Sequence, residues 1–235
     1  MSDAPPDPQL PPAATAPTVP TAPAASPGPV AQTLQFSPPD DGEELQRAEL
    51  YGLLARLWFR PPDAALLQQF AVAVTEAPES GAFLEDPWQA LVGALRATTA
   101  EAAEAEWGTL FTGTGKAEVL PYASYQLTGA LNERPLVELR ADLARLGLAS
   151  AAPEGETEDH VAVVFEVMRY LIAGDDMAVC NLGQQRLFFR NHLQPWVGGL
   201  CDELADHPRA TVYAALARFT RAFIDVETQA FDLVE

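Results

Sequence analysis

The chain has 235 residues, 48% of them hydrophobic, so it is long enough to build a packed core and is not disordered throughout. It carries 33 acidic and 14 basic residues, a formal net charge of −19 at pH 7. This charge repels phosphate backbones and anionic lipid surfaces, which argues against nucleic acid. It would speed encounter with a basic partner, although many acidic proteins use such a charge only for solubility.

Cysteine usage and the chain start indicate the compartment. The two cysteines, Cys180 and Cys201, form no CxxC pair, which is typical of a reducing environment. The N-terminus lacks the basic residues and apolar run of a secretory signal. The most apolar stretch, residues 161–173, is too short to cross a bilayer. We therefore expect a cytoplasmic protein without membrane insertion.

The chain divides by composition into a tail and a helical domain. Residues 1–42 are dominated by Pro, Ala, Thr and Ser, which predicts a disordered tail. From residue 43 to 231 apolar residues recur at spacings of three and four, and no stretch alternates as a strand would. We predict an all-α globular bundle of about nine helices without a β-sheet, in two subregions joined by a hinge at about 147–157. Such a hinge would allow a monomer or a dimer that exchanges helices.

Stop and cap residues delimit the first four predicted helices. The first carries an apolar face through Trp58 and is stopped by prolines at 61–62. Asp63 is a suitable N-cap for the second. The pair Asp-Pro at 86–87 opens the third, and Thr98 with Glu101 forms a capping box for the fourth.

A long connection separates these helices from the rest. Residues 112–134 are rich in Gly and Tyr and are predicted to lack helix. A fifth helix follows from about Pro135 and ends at Gly147, which has the pattern of a Schellman stop. The remaining helices are predicted at about 161–173, 177–193, 195–206 and 209–231.

Motifs for phosphate and metal binding are incomplete. Residues 113–116, Gly-Thr-Gly-Lys, lack the first Gly and the Ser/Thr of a phosphate loop, and no strand precedes them. The histidines and cysteines show no paired ligand spacing, so we expect no metal and no other cofactor.

A nucleophile motif is also lacking, so no catalytic residue is predicted. Ser124 lies outside any G-x-S-x-G elbow. A small hydrolase that uses Ser124 with His160 is kept only as an alternative.

Acidic residues cluster before the sixth helix. Glu154, Glu156, Glu158 and Asp159 lie within six residues, beside His160. Helix capping and the helix dipole would explain one or two of them. The others repel one another unless a cation is present, and an incoming guanidinium would supply it.

Four segments in this order resemble the TorD/DmsD family of molybdoenzyme maturation chaperones. They are Trp-x-x-Leu-Phe at 107–111, Pro-Tyr-x-Ser-Tyr at 121–125, an acidic motif at 156–160, and Phe-Phe-x-x-His-Leu-x-x-Trp at 188–196. In the acidic motif, Glu-Thr-Glu-Asp-His, Thr157 replaces the Pro of the family pattern.

The resemblance covers about residues 43–231 and implies an all-helical fold without enzymatic activity. It implies that the protein binds the twin-arginine signal peptide, or another N-terminal segment, of an apo-molybdoenzyme catalytic subunit. Binding would delay export until the molybdenum cofactor is inserted. A helical interaction scaffold unrelated to redox enzyme maturation remains an alternative.

The resemblance also implies site residues. Asp159 and His160 would form the peptide-binding pair, and Tyr122, Ser124 and Tyr125 would line the neighbouring loop. We expect His160 to fix the loop through a hydrogen bond more than to sense pH. The other residues predicted to bind the peptide are Glu156, Glu158, Trp107, Phe111 and Tyr51.

Overall fold

A computed structural model describes residues 42–72, 83–113, 117–148 and 156–233. These residues form ten α-helices, with one π-helical turn directly after the fourth, and their arrangement confirms the predicted all-α fold class. The helices are α1 Glu43–Phe59, α2 Ala64–Val72, α3 Glu85–Ala97, α4 Ala100–Trp107, α5 Ala123–Thr128, α6 Arg134–Arg145, α7 Val161–Ala173, α8 Leu182–His192, α9 Val197–Ala205 and α10 Val212–Leu233.

The first two helices begin and end close to where the sequence predicts. Helix α1 ends at Phe59, shortly before the prolines at 61–62. The carboxylate of Asp63 accepts a hydrogen bond from the Leu66 backbone N–H at 2.7 Å, which confirms it as the cap of α2.

The starts of α3 and α4 differ from the prediction by one residue. Helix α3 begins at Glu85, so the Asp-Pro pair at 86–87 lies within its first turn. The cap of α4 is Thr99, not Thr98, and its hydroxyl accepts from the Ala102 N–H at 3.2 Å. Both threonines have extended backbone and could act as caps. Only Thr99 lies directly before the first turn, so only its hydroxyl reaches that N–H.

The prediction that residues 112–134 lack helix was wrong. A π-helical turn extends α4 through Gly108–Thr112, and the six-residue helix α5 lies within the connection. Helix α5 stops at Gly129, whose φ of 80° is left-handed. A helix this short has fewer than two turns, so its apolar spacing cannot be recognised in the sequence.

The end of α6 confirms the predicted Schellman stop. Gly147 has a φ of 71°, and the Leu148 N–H donates to the Leu143 carbonyl at 2.9 Å.

The last three helices are shorter at their starts than predicted. Helix α8 begins at Leu182, after Asn181, whose side chain accepts from the Gln184 N–H at 3.1 Å. The N-terminus of α10 is capped from another helix: the carboxylate of Glu106 in α4 accepts from the backbone N–H groups of residues 211, 212 and 213. Such a distant cap cannot be recognised from local sequence.

One hydrophobic core joins the helices on both sides of the predicted hinge. Helix α1 packs mainly on α7, and α10 packs on α9 and α3. Residues 1–41 of the predicted tail and residues 149–155 of the predicted hinge lie outside the described residues. The two subregions and the exchange of helices between protomers therefore stay predictions. Among the described helices, none combines the length and hydropathy that crossing a bilayer requires.

Candidate functional site

The segments before α5 and α7 lie side by side. Tyr122 and His160 form an isolated antiparallel bridge. The Ala123 N–H donates to the Asp159 carbonyl and the Val161 N–H donates to the Pro121 carbonyl, both at 2.9 Å. Two motifs that are more than thirty residues apart in sequence therefore share one site.

Asp159 is the most buried carboxylate of this site, with 1% of its surface exposed. Its Oδ2 accepts from the Ser124 backbone N–H at 2.9 Å and from the Ser124 hydroxyl at 2.5 Å. Its Oδ1 accepts from the Thr157 hydroxyl at 2.5 Å. A buried carboxylate needs such donors to offset its desolvation. Asp159 thus connects the acidic motif to the first turn of α5.

His160 caps α7 and is neutral at pH 7. Its Nδ1 accepts from the Ala162 N–H at 3.2 Å, so the proton of the neutral ring is on Nε2. Burial lowers the pKa of His160 to about 4, although the nearby carboxylates of Glu156 and Asp159 act in the opposite direction. The ring contacts Tyr122 edge-on, with 5.0 Å between centroids. This supports a loop-fixing role.

Glu156 is half-buried and accepts a hydrogen bond from the Tyr122 hydroxyl. Burial and the carboxylate of Glu156 raise the pKa of Tyr122 well above its usual value, so the phenol stays protonated and donates. The other carboxylate oxygen of Glu156 has no partner within the described ranges. Among the described residues it is therefore an unused acceptor.

Glu158 is already paired. Its carboxylate lies 2.7 Å from an Arg140 guanidinium nitrogen of α6, and its side chain is 13% exposed. An ion pair of this kind leaves little net charge for a second cation. The remaining member of the acidic cluster, Glu154, lies outside the described residues.

Two predicted aromatic residues, Trp107 at the end of α4 and Phe111 in the π-helical turn, form a cluster with Tyr213 of α10. The rings of Trp107 and Phe111 are 4.5 Å apart, and they lie 5.6 and 5.2 Å from the ring of Tyr213. Trp107 and Phe111 are partly exposed, whereas Tyr213 is buried. We call these three residues the aromatic cluster.

The aromatic cluster approaches the acidic motif through the end of α1. Phe111 contacts Trp58, with 6.2 Å between ring centroids. The next residue, Phe59, contacts the His160 ring edge-on at 6.1 Å. Sequence reasoning missed Phe59, because a final helical residue before a proline stop carries no signal beyond hydrophobicity.

Two of the predicted site residues, Tyr51 and Tyr125, make no hydrogen bond to the acidic motif among the described residues. Tyr51 is fully buried in the core, where its hydroxyl donates to Glu227 at 2.8 Å, so the structure does not bring it to the acidic motif. Tyr125 lies partly exposed on α5, next to Ser124, and its side chain makes no hydrogen bond within the described part of the chain.

The geometry does not assemble the alternative hydrolase. The Ser124 hydroxyl donates to Asp159, and Nδ1 of His160 is occupied by the Ala162 N–H. A nucleophile needs a hydrogen-bonded base, and the described residues contain no such serine–histidine pair. Across the described ranges, no group of three or more His, Cys, Asp or Glu side chains is placed to hold a metal ion.

Comparison with known proteins places this chain in a family. Residues 78–202, more than half of the chain, match the family model described as "Nitrate reductase delta subunit". The chain belongs to this family, the TorD family. This confirms the resemblance that the motifs indicate.

Relatives of this TorD-family protein carry a consistent name. It is 26% identical to a "Chaperone protein TorD" of Aliivibrio fischeri, over 78% of the chain and 94% of that protein. It is 27% identical to a "Chaperone protein TorD" of Vibrio cholerae, over 80% of the chain and 92% of that protein. A solved structure from Archaeoglobus fulgidus, described as a redox enzyme maturation protein, shares its fold with a TM-score of 0.52 and 21% identity, covering 83% of this chain and 99% of that one. The relatives of this TorD-family protein are thus named as chaperones, a role without catalysis.

The low pKa of His160 predicts a pH-dependent contribution to stability. The pKa is about 4 in the folded protein and 6.5 in the unfolded chain, so between these values the unfolded chain binds a proton that the folded protein does not. Stability is therefore lost as the pH falls from 6.5 towards 4, by on the order of 3 kcal/mol in total. Replacing His160 by Asn keeps a cap acceptor and should flatten the curve of unfolding free energy against pH in this window, measured by urea denaturation. Parallel curves for the two proteins would contradict the assignment.

Proposed function

We propose that this chaperone binds the positively charged, apolar N-terminal signal segment of a molybdenum-cofactor oxidoreductase while the enzyme is still without its cofactor, in the cytoplasm. Binding keeps the segment from the export machinery until the cofactor has been inserted. The proposed site consists of the acidic motif at 156–160, the loop residues Tyr122, Ser124 and Tyr125, and the aromatic cluster.

The proposal rests on one observation. Two carboxylates lie beside the bridge between the 121–123 and 159–161 segments, and neither forms an ion pair with a basic side chain of the described residues. Glu156 and Asp159 have no ion-pair partner within the described residues, whereas Glu158 is paired with Arg140. His160 does not compensate them, because its low pKa keeps it neutral. Negative charges in a partly desolvated setting attract a cation strongly.

The groups around these carboxylates suit a guanidinium. Glu156 offers an open oxygen beside the ring of Tyr122, so that a planar cation can donate to the carboxylate and lie against an aromatic face. Arginine forms bidentate pairs and stacks on rings, whereas lysine acts as a point charge. A preference for arginine is the expected consequence.

The apolar part of a signal segment requires a neighbouring hydrophobic surface. Trp107 and Phe111 are partly exposed, and the contacts of Phe111 with Trp58 and of Phe59 with His160 connect them to the acidic motif. Aromatic rings provide a large contact area with few rotatable bonds. The family name of the relatives, "Chaperone protein TorD", supports a polypeptide partner of this kind.

Titration with synthetic peptides tests the proposal. A signal-type peptide with an Arg-Arg pair followed by an apolar run should bind the full chain at least about tenfold more tightly than the Lys-Lys version, since a guanidinium can add a second charge-assisted hydrogen bond, and such a bond contributes about 1.5–3 kcal/mol. Isothermal titration calorimetry gives both dissociation constants. Glu156→Gln should remove most of this preference and leave the unfolding temperature unchanged.

Glu133→Gln is the matched control, because it removes the same charge from an exposed position before α6. It should leave both dissociation constants unchanged. Equal affinity of the unmodified protein for the two peptides would favour a general helical scaffold and overturn the proposal.

A further inference from the structure

We propose that Asp159 is a positioning residue of this site rather than the carboxylate that contacts the partner. Together with Ser124 and Thr157 it forms a buried clamp that fixes the acidic motif against α5. This inference rests on the proposed function, since it divides the roles of two carboxylates within the same site.

The hydrogen bonds of Asp159 leave no surface for a partner. Both carboxylate oxygens accept from groups of the chain itself, and the residue is 1% exposed. Ser124, which supplies two of the three donors, is fully buried. A guanidinium that approached Asp159 would first have to displace these donors. Glu156 has an oxygen that needs no displacement.

Thr157 gives the clamp a form that departs from the family pattern. The family pattern has Pro at this position, and a proline ring restricts the backbone without any hydrogen bond. Here the Thr157 hydroxyl restricts the segment by donating to Asp159. The Thr157 N–H donates to none of the described residues, so a proline can replace it without loss of a bond seen here.

The clamp determines where Glu156 lies. Thr157 directly follows Glu156, and Ser124 is two residues after Tyr122, whose hydroxyl donates to Glu156. Loosening the clamp therefore lowers the fraction of molecules in which Glu156 and Tyr122 are placed for binding. It should weaken binding of every peptide by the same factor, whereas loss of the contacting carboxylate should weaken arginine binding selectively.

The two roles are separated by measuring both peptides with each variant of the full chain. Asp159→Asn should weaken Arg-Arg and Lys-Lys peptides equally, by about tenfold, and should lower the unfolding temperature, because Asn presents a donor where the carboxylate accepts. Glu156→Gln should instead change the ratio of the two affinities. Selective loss of arginine preference in Asp159→Asn would overturn the inference.

Variants of Thr157 keep the test informative if Asp159→Asn does not fold. Thr157→Ala should weaken both peptides by about fivefold, the central value of one hydrogen bond. Thr157→Ser keeps the hydroxyl and should bind like the unmodified protein. Thr157→Pro removes that donor but restricts the backbone, so it should lose less affinity than Thr157→Ala. Equal weakening by Ala, Ser and Pro would contradict a clamp. Failure of the unmodified protein to bind either peptide would overturn the proposed function itself, whereas the outcomes above concern the clamp alone.

Discussion

Replacing Arg47 by Met is expected to lower the free energy of unfolding by about 3–5 kcal/mol, because it leaves a buried carboxylate without its cation. The Arg47 Nε donates to both oxygens of Glu227 at 2.8 and 2.9 Å, and Glu227 is 3% exposed. Tyr51 donates to the same carboxylate, and Arg47 also donates to Gln185 at 3.0 Å. One guanidinium thus links α1 to α8 and α10. Burial raises the pKa of Glu227, and Arg47 acts against that rise.

Urea denaturation at pH 7 measures this effect. Arg190→Met is the matched control, because Arg190 forms an ion pair with Asp232 in which the two side chains are 38% and 57% exposed. Exposed pairs contribute about 0–1 kcal/mol. A loss of similar size in both variants would show that the buried position of Glu227 has no special effect.

Replacing Phe165 by Ala is expected to cost about 3–5 kcal/mol of stability through the cavity that it leaves. Phe165 is fully buried in α7, and its ring lies 5.9 Å from that of Tyr51 in α1. These two helices are the principal packing pair of the core. The lost contacts therefore weaken the support of the helix that His160 caps.

Thermal and urea unfolding of Phe165→Ala should be compared with Phe83→Ala. Phe83 is 72% exposed, so its truncation should change stability by less than about 0.5 kcal/mol. A cost below about 1 kcal/mol for Phe165→Ala would mean that the α1–α7 packing is looser than the structure shows.

The helices could be predicted wherever local chemistry determines them. Apolar spacing identifies α1 and α7, the prolines at 61–62 end α1, and Gly147 ends α6, since each signal acts within one or two turns. Helix α5 was missed because six residues are too few for a period to repeat. The N-terminus of α10 was placed too early because its cap, Glu106, comes from another helix.

The residues of the candidate site could be predicted from the sequence, but the hydrogen bonds between them could not. Asp159, Ser124 and Thr157 were each recognised in the sequence, yet nothing in their spacing indicates that they bond to one another. The contacts of the aromatic residues of α1 could not be predicted for the same reason. Tyr51 and Phe59 lie on one helix, and only the packing of α7 shows that Phe59, not Tyr51, contacts His160.

The packing of α7 on α1 has a consequence for recognition. The segment that bears Glu156 and Asp159 leads directly into α7, and α7 is fixed in the core, so these carboxylates are preorganised before any partner arrives. A receptor of this kind loses little conformational entropy when it binds, and the entropic cost falls mainly on the incoming peptide. Differences in affinity among partner peptides should then reflect how much conformational entropy each peptide loses when it becomes ordered on binding.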